Sequence, residues 1–384
     1  MYGGYAEKHR AMNNREWFRH AKYGMMVHFG IYSMLAGEYR GRRTPYYAEW
    51  AQSYFQIPNR EIETLAGTFN PIYFQAEEWI TLAKECGMEY FVITSKHHEG
   101  FALFDSACDP FNVKRATPFG RDIIAELAEA CYKHGIKFGL YYSQELDWHH
   151  PHGGGYDKTC GCAGTTWFNS WDFPGRDNKN FSICFEEKIK PQVKEILTKY
   201  GDLCLIWFDT PGVIKPEQSR EIFDMVKKYQ PDCLINSRLG NGAYDYVSLG
   251  DNEIPQKRPE TIPDTPAGDM NELDGFKYSP YDLYETAATL NDTWGFKYYD
   301  ANWKTPEQIA ANKKHLNDMG VNYLLNVGPD GLGRIPSFSV DILRRAREIE
   351  EKSLCLHRRC ILPLSRQAPS GRRFPGYGGA LPGL

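Results

Sequence analysis

The sequence predicts an α/β fold, a distorted (β/α)8 barrel of the TIM type with long loops above its strands. Two observations predict it, and a third removes the main competitor. Short apolar runs alternate with amphipathic stretches along most of the chain, the pattern of parallel βαβ units. The runs are apolar on both faces, as strands covered on both sides must be. No G-x-G-x-x-G follows the first run, so a dinucleotide-binding sheet has no support.

The elements read off in order. YGMMVHFG (23–30) is an apolar run ending in His28. AEEWITLAKECG (76–87) carries apolar residues at helical spacing and stops at glycine. YFVITSKHH (90–98) is a strand that runs into two histidines, and RDIIAELAEACYKHG (121–135) is a second amphipathic helix with a glycine stop. KFGLYYS (137–143) is a strand, FEEKIKPQVKEILTKYG (185–201) a helix, LCLIWFDT (203–210) a strand ending in Asp209, SREIFDMVKKYQP (219–231) a helix, and CLINSR (233–238) a strand ending in Arg238. PEQIAANKKHLNDMG (306–320) and NYLLNVGP (322–329) form a last helix and strand before a final helix, 340–353. About seven or eight such units fit the barrel. The stretches 144–184 and 239–280, rich in Gly, Asp and Pro, read as loops over the strand ends. The domain therefore spans 1–353, and 354–384 reads as an irregular, basic, Pro/Gly-rich tail.

Composition narrows the classes. The 384 residues are 42% hydrophobic and 24% charged, a globular balance, and the net charge of -4 gives no attraction to nucleic acid or anionic lipid. No run nears the 18 apolar residues of a membrane span. The N-terminus is polar and lacks the apolar middle of a signal peptide, so the chain as written reads as cytoplasmic, and as secreted or periplasmic if a leader has been removed. Aromatic residues make up 14%, which suits ring-walled sugar clefts as well as cores. Of 10 Cys, Cys86, Cys131, Cys204 and Cys233 sit in periodic apolar stretches and read as core. Cys160 and Cys162 lie near His149, His150 and His152, but C-x-C beside His is not a zinc spacing. No metal or other cofactor is expected.

Barrel enzymes carry their chemistry at the C-terminal ends of strands. Here those ends supply His28, His97, His98, Tyr141 or Tyr142, Asp209, Arg238 and Asp251. Asp209 is the first charge after Leu205-Ile206-Trp207-Phe208, and a carboxylate there needs donors or a cation beside it. Arg238 is the natural partner. A positioned carboxylate is what attack on a sugar's anomeric carbon requires, with a second carboxyl as acid and base. DYVSLGDNEIPQ (245–256) offers Asp251 and Glu253 for that second role, and the chemistry does not choose between them.

These segments together resemble the α-L-fucosidases of glycoside hydrolase family 29. AKYGMMVHFGIYS, YYAEW, SKHHEGFALFDS, KFGLYYSQELDW, LIWFD, INSR, DYVSLGDNEIP, TLNDTWGF and YLLNVGPDGLGRIP occur in family order over residues 17 to about 350. The resemblance implies a retaining, metal-free exo-α-L-fucosidase acting on a fucosylated glycan or small fucoside. It makes Asp209 the nucleophile and gives contacts with fucose to His28, His97, His98, Glu49 and Trp50. Tyr141 would lie beside the nucleophile, Arg238 would pair with charge next to it, and Trp294 would wall the C5 methyl. Read back from Ile254-Pro255, the family motif aligns Asp251 with the acid/base residue; Glu253 stays open and Glu285 is third.

The chain departs from the family in carrying Glu99 where His-His-Asp-Gly is usual, and in having no room for the common C-terminal β-sandwich, whose absence could favour homo-oligomers. Two other readings stand beside this one. His28, His97, His98 and Asp209 could ligate the metal of a barrel hydrolase or isomerase, or the chain could bind fucose without cleaving it.

Overall fold

A computed structural model describes residues 13–154, 159–160, 163–259 and 279–361, with the side chains of 159–160 and 354–361 left aside. Among these residues eight parallel strands form one curled sheet: β1 (Tyr23–Val27), β2 (Tyr90–Lys96), β3 (Lys137–Ser143), β4 (Leu205–Asp209), β5 (Leu234–Ile235), β6 (Val247–Ser248), β7 (Tyr284–Thr289) and β8 (Val321–Val327). Each pairs with its neighbour in sequence, and β1 pairs with β8. The ring closes between the two shortest strands by a single parallel bridge, Asn236 to Tyr246. There the buried carboxylate of Asp245 does work that a longer ladder would do. It accepts from the Ile235 N–H at 3.0 Å and from Lys227 Nζ at 2.6 Å.

The main helices are α1 (Asn14–Ala21), α2 (Ala76–Glu85), α3 (Ile123–His134), α4 (Lys190–Lys199), α5 (Pro216–Tyr229), α6 (Pro306–Asp318) and α7 (Ser337–Ile361). Their ends follow local chemistry. Asp122 caps α3 by accepting from Ala125 N–H, and Gly135 ends it at φ +68. Thr305 and Gln308 close a capping box on α6. Between β5 and β6 there is only a 3-10 turn, Ser237–Leu239, and no helix lies between β6 and β7 among the described residues. The barrel is distorted on that side.

Two differences from the sequence reading have physical causes. Strand β7, YETAAT, escaped notice because its polar and small residues lack an apolar run; all six are nevertheless buried. The last helix runs on to Ile361, eight residues past its expected end. Residues 362–384 of the expected tail, and 260–278 of the expected loop, lie outside the described residues.

Alternation along the strands sorts the core into two. Phe91 and Ile93 on β2, Ile206 and Phe208 on β4, and Met25 and Val27 on β1 pack outward among the helices. Val92, Tyr141, Leu205, Trp207, Met26 and Leu324 pack inside the barrel. Trp17 and Phe18 of α1 join the inner cluster and plug its lower end. Asp209 shares the parity of Leu205 and Trp207, and His28 that of Met26, so strand geometry aims both inward at the upper end. No helix among the described residues is long and apolar enough to cross a membrane.

Candidate active site

A pocket of about 540 Å³, counting its open mouth, sits at the C-terminal ends of the strands. His28, Glu49, Trp50, His97, His98, Tyr141, Asp209, Arg238, Asp251 and Trp294 all line it. Glu253 does not: it is exposed, and its carboxylate accepts from the Gly250 N–H at 2.7 Å, closing its own turn. Glu285 lies lower in the barrel, fully buried, with Tyr90, Trp207 and Tyr246 donating to it at 2.7, 3.1 and 3.4 Å.

Asp209 is almost buried and takes three donors. Arg238 Nη1 and the Thr210 N–H reach Oδ1 at 3.1 and 2.9 Å, and the Tyr141 hydroxyl reaches Oδ2 at 2.6 Å. A carboxylate offers about four acceptor sites; the fourth, on Oδ2, is left for the pocket. Arg238 also donates through Nη2 to Asp251 at 2.5 Å, so one guanidinium holds both carboxylates. Its Cζ lies 4.6 Å from the centroid of the Trp207 ring, which in turn stacks on Tyr141 with centroids 5.6 Å apart. Asp251 keeps 38% of its side chain exposed, at the mouth.

The histidines are neutral and oriented. Burial lowers the His28 and His97 rings to about 3, and His98 well below its usual range. His28 Nδ1 meets Asn326 Oδ1 at 2.7 Å, while Asn326 Nδ2 donates to the Trp294 carbonyl. That amide orientation makes Nδ1 the donor and leaves Nε2 an acceptor. His98 follows the same logic: Ser143 Oγ donates to the Leu146 carbonyl and accepts from His98 Nδ1 at 2.8 Å. His97 Nδ1 lies 3.6 Å from Glu99, which burial raises to about 8. Glu49, raised by burial to about 7, accepts on Oε2 from Gly295 N–H and Thr293 hydroxyl, and its Oε1 has no hydrogen bond. The pocket therefore presents hydrogen-bonding side chains together with the rings of Trp50, Trp294 and Tyr141.

Among the described residues no three His, Cys, Asp or Glu side chains converge as a metal site. His149 and His150 instead pair with Glu63 and Glu187. Cys162 and the Cys160 side chain lie outside the described residues.

Sequence reasoning passed over Met26, Tyr47, Trp167, Trp207 and Thr210, which also line the pocket. Trp207 was legible, two residues before Asp209 and on the same strand face. Trp167 comes from a loop and carried no periodic signal.

The family profile of α-L-fucosidase matches residues 2–347. The chain belongs to the α-L-fucosidase family. It is thereby grouped with glycoside hydrolases. It is similar to the Lactobacillus casei α-L-fucosidase AlfC, with 56% identity, a TM-score of 0.82, and coverage of 89% of this chain and 99% of that one. That enzyme has been solved with α-L-fucose, and a variant of it with 4-nitrophenyl α-L-fucopyranoside and with Fucα(1,6)GlcNAc. A Vibrio α-L-fucosidase is 33% identical, with a TM-score of 0.74 over 88% of this chain and 54% of its own. The Dictyostelium discoideum enzyme is 27% identical, covering 85% of this chain and 68% of that protein. Against bovine tissue α-L-fucosidase the identity is 26%, and the chain spans 65% of the relative's length.

Proposed function

We propose that this chain removes terminal α-L-fucosyl residues from glycans or small fucosides by double displacement with retention. The observation that carries the reading is Asp209, aimed into the pocket from the end of β4 with three donors fixing its oxygens. Its free lone pair on Oδ2 attacks C1 while the protonated form of Asp251, at the mouth, gives its hydrogen to the leaving oxygen and becomes the carboxylate. Formation of the ester removes charge from Asp209. Arg238 then faces one carboxylate, Asp251, which takes a proton from the incoming water as base. His28 and His98 accept hydroxyl hydrogens through Nε2, and the apolar wall of Trp294 suits a methyl where another sugar has a hydroxymethyl.

The test is hydrolysis of 4-nitrophenyl α-L-fucoside followed by NMR of the first-formed anomer. α-L-Fucose should appear first, and a fluorinated fucosyl inhibitor should leave its adduct on Asp209. β-L-Fucose as the first product, or an adduct on another residue, defeats the proposal.

A further inference from the structure

Glu99 is buried behind the His97 ring, and the reaction as derived above gives it no task. Its Oε2 lies 3.6 Å from His97 Nδ1, and neither atom has a hydrogen bond. Two buried polar atoms without partners are costly unless they serve each other. The gap is wider than a hydrogen bond, and such contacts in a ligand-free site tighten when the ligand seats.

The surroundings hold both groups in place. A Cβ on Gly30 would lie 2.6 Å from Glu99 Oε1, so bare backbone after β1 packs against the carboxyl and leaves no room on that side. The His97 ring stacks on Tyr141 with centroids 5.5 Å apart, and meets the rings of Tyr32 and His98 at 5.2 and 3.8 Å. With Nδ1 toward Glu99, Nε2 is the nitrogen left for the pocket that His97 lines.

The neighbouring charges decide which group donates. Lys96 and Lys188 act on Glu99 from nearby but are bound elsewhere. Lys96 pairs with Asp147 at 3.0 Å, and Lys188 with Asp109 and Asp147 at 2.6 and 2.8 Å. Among the described residues only His97 stands within ion-pair reach of Glu99, and burial keeps that ring neutral. A buried carboxyl with no cation beside it keeps its proton, in line with its rise to about 8. A protonated carboxyl has a hydrogen to give, and the bare nitrogen of a neutral imidazole accepts it.

We propose that Glu99 is a positioning residue for sugar binding: its acid hydrogen goes to His97 Nδ1, which fixes Nε2–H as a donor to a hydroxyl of the bound fucose. His28 and His98 donate through Nδ1 and so present acceptors beside it. The three rings then offer a hydroxyl cluster both kinds of partner. The proposal rests on the fucoside reading of the pocket and adds the group that sets the polarity of one of its histidines.

Nitrogen NMR of the whole chain labelled at histidine, with a His97→Gln spectrum to assign the ring, reads the proton directly at pH 6.5. His97 should carry its hydrogen on Nε2, with Nδ1 shifted by accepting a hydrogen bond, whereas His28 and His98 carry theirs on Nδ1. Glu99→Met, of similar volume, should remove the Nδ1 shift and weaken α-L-fucose binding about tenfold by calorimetry, since one net hydrogen bond is worth about that factor. Glu99→Gln, whose amide can donate in place of the acid, should restore the shift and bring affinity back to within about threefold of wild type. A hydrogen on His97 Nδ1 in the wild-type chain overturns the proposal whether or not the variants fold. So does fucose bound equally by wild type and Glu99→Met, or Glu99→Gln as weak as Glu99→Met; these outcomes leave the fucoside reading standing. A wild-type chain that neither binds fucose nor cleaves 4-nitrophenyl α-L-fucoside defeats that reading, and the role of Glu99 with it.

Discussion

Tyr141 on β3 donates its phenolic hydrogen to Asp209 on β4 across 2.6 Å, the shortest of the three contacts that orient this carboxylate. The pairing of the two strands sets it: Tyr141 lies opposite Trp207, Ser143 opposite Asp209, and both Tyr141 and Asp209 face inward. Hydrogen bonds to charged groups are worth about 1.5–3 kcal/mol. Tyr141→Phe should therefore lower kcat/KM roughly 10- to 100-fold and cost the folded chain no more than about 3 kcal/mol. A wild-type rate in this variant would show that Asp209 needs no such orientation.

Asp251 and Glu253 are two residues apart, yet they differ in surroundings. Asp251 meets Arg238 at the pocket mouth, whereas Glu253 is exposed and tied to Gly250. Asp251→Asn should slow cleavage of a fucosyl disaccharide about 10²- to 10⁴-fold, the usual contribution of a general acid, and slow 4-nitrophenyl fucoside less, since its leaving group needs little protonation. Glu253→Gln should stay within about twofold of wild type on both, as surface changes usually do. The reverse ranking would move the acid to Glu253.

Glu285 holds three donors in the barrel interior. Glu285→Leu orphans all of them, at roughly 1–3 kcal/mol each, so the loss of stability should reach at least about 3 kcal/mol. Glu285→Gln keeps one acceptor oxygen and should lose less. Chemical denaturation of the two variants measures the difference; equal stability of Glu285→Leu and wild type would mean the network contributes nothing.

Stability should peak in mildly acidic solution. Burial raises Glu49 and Glu285 from 4.5 to about 7, and Glu99 to about 8. The folded chain keeps protons there that the unfolded chain has released. That stabilisation is complete below about pH 4.5 and is lost as pH rises to about 8. Burial lowers His28 and His97 from 6.5 to about 3, so the folded chain refuses protons that the unfolded chain binds. Their effect is a loss of stability as pH falls from 6.5 to about 3. The melting temperature of the ligand-free chain should be highest between about pH 4.5 and 6.5. Glu99→Gln should flatten the alkaline side, and a melting temperature climbing steadily from pH 6.5 to 8 contradicts this scheme.

The sequence by itself determined the barrel, because alternating apolar strands and amphipathic helices bury their faces in few ways, and it determined which polar residues end the strands. His28, Asp209 and Arg238 were legible because a polar residue closing an apolar run has little structural reason to be there. Period-two parity even carried the inward aim of Asp209. Only the tertiary structure separated Asp251 from Glu253, since both follow the same short strand and what divides them is contact with a guanidinium from another turn. The same holds for Trp167 and for β7: their burial comes from neighbours distant in the chain, and local hydrophobic pattern records no such partners. Proton placement on His28 and His98 was likewise set by Asn326 and Ser143 on other strands, through hydrogen bonds that exist only once the ring of strands has closed.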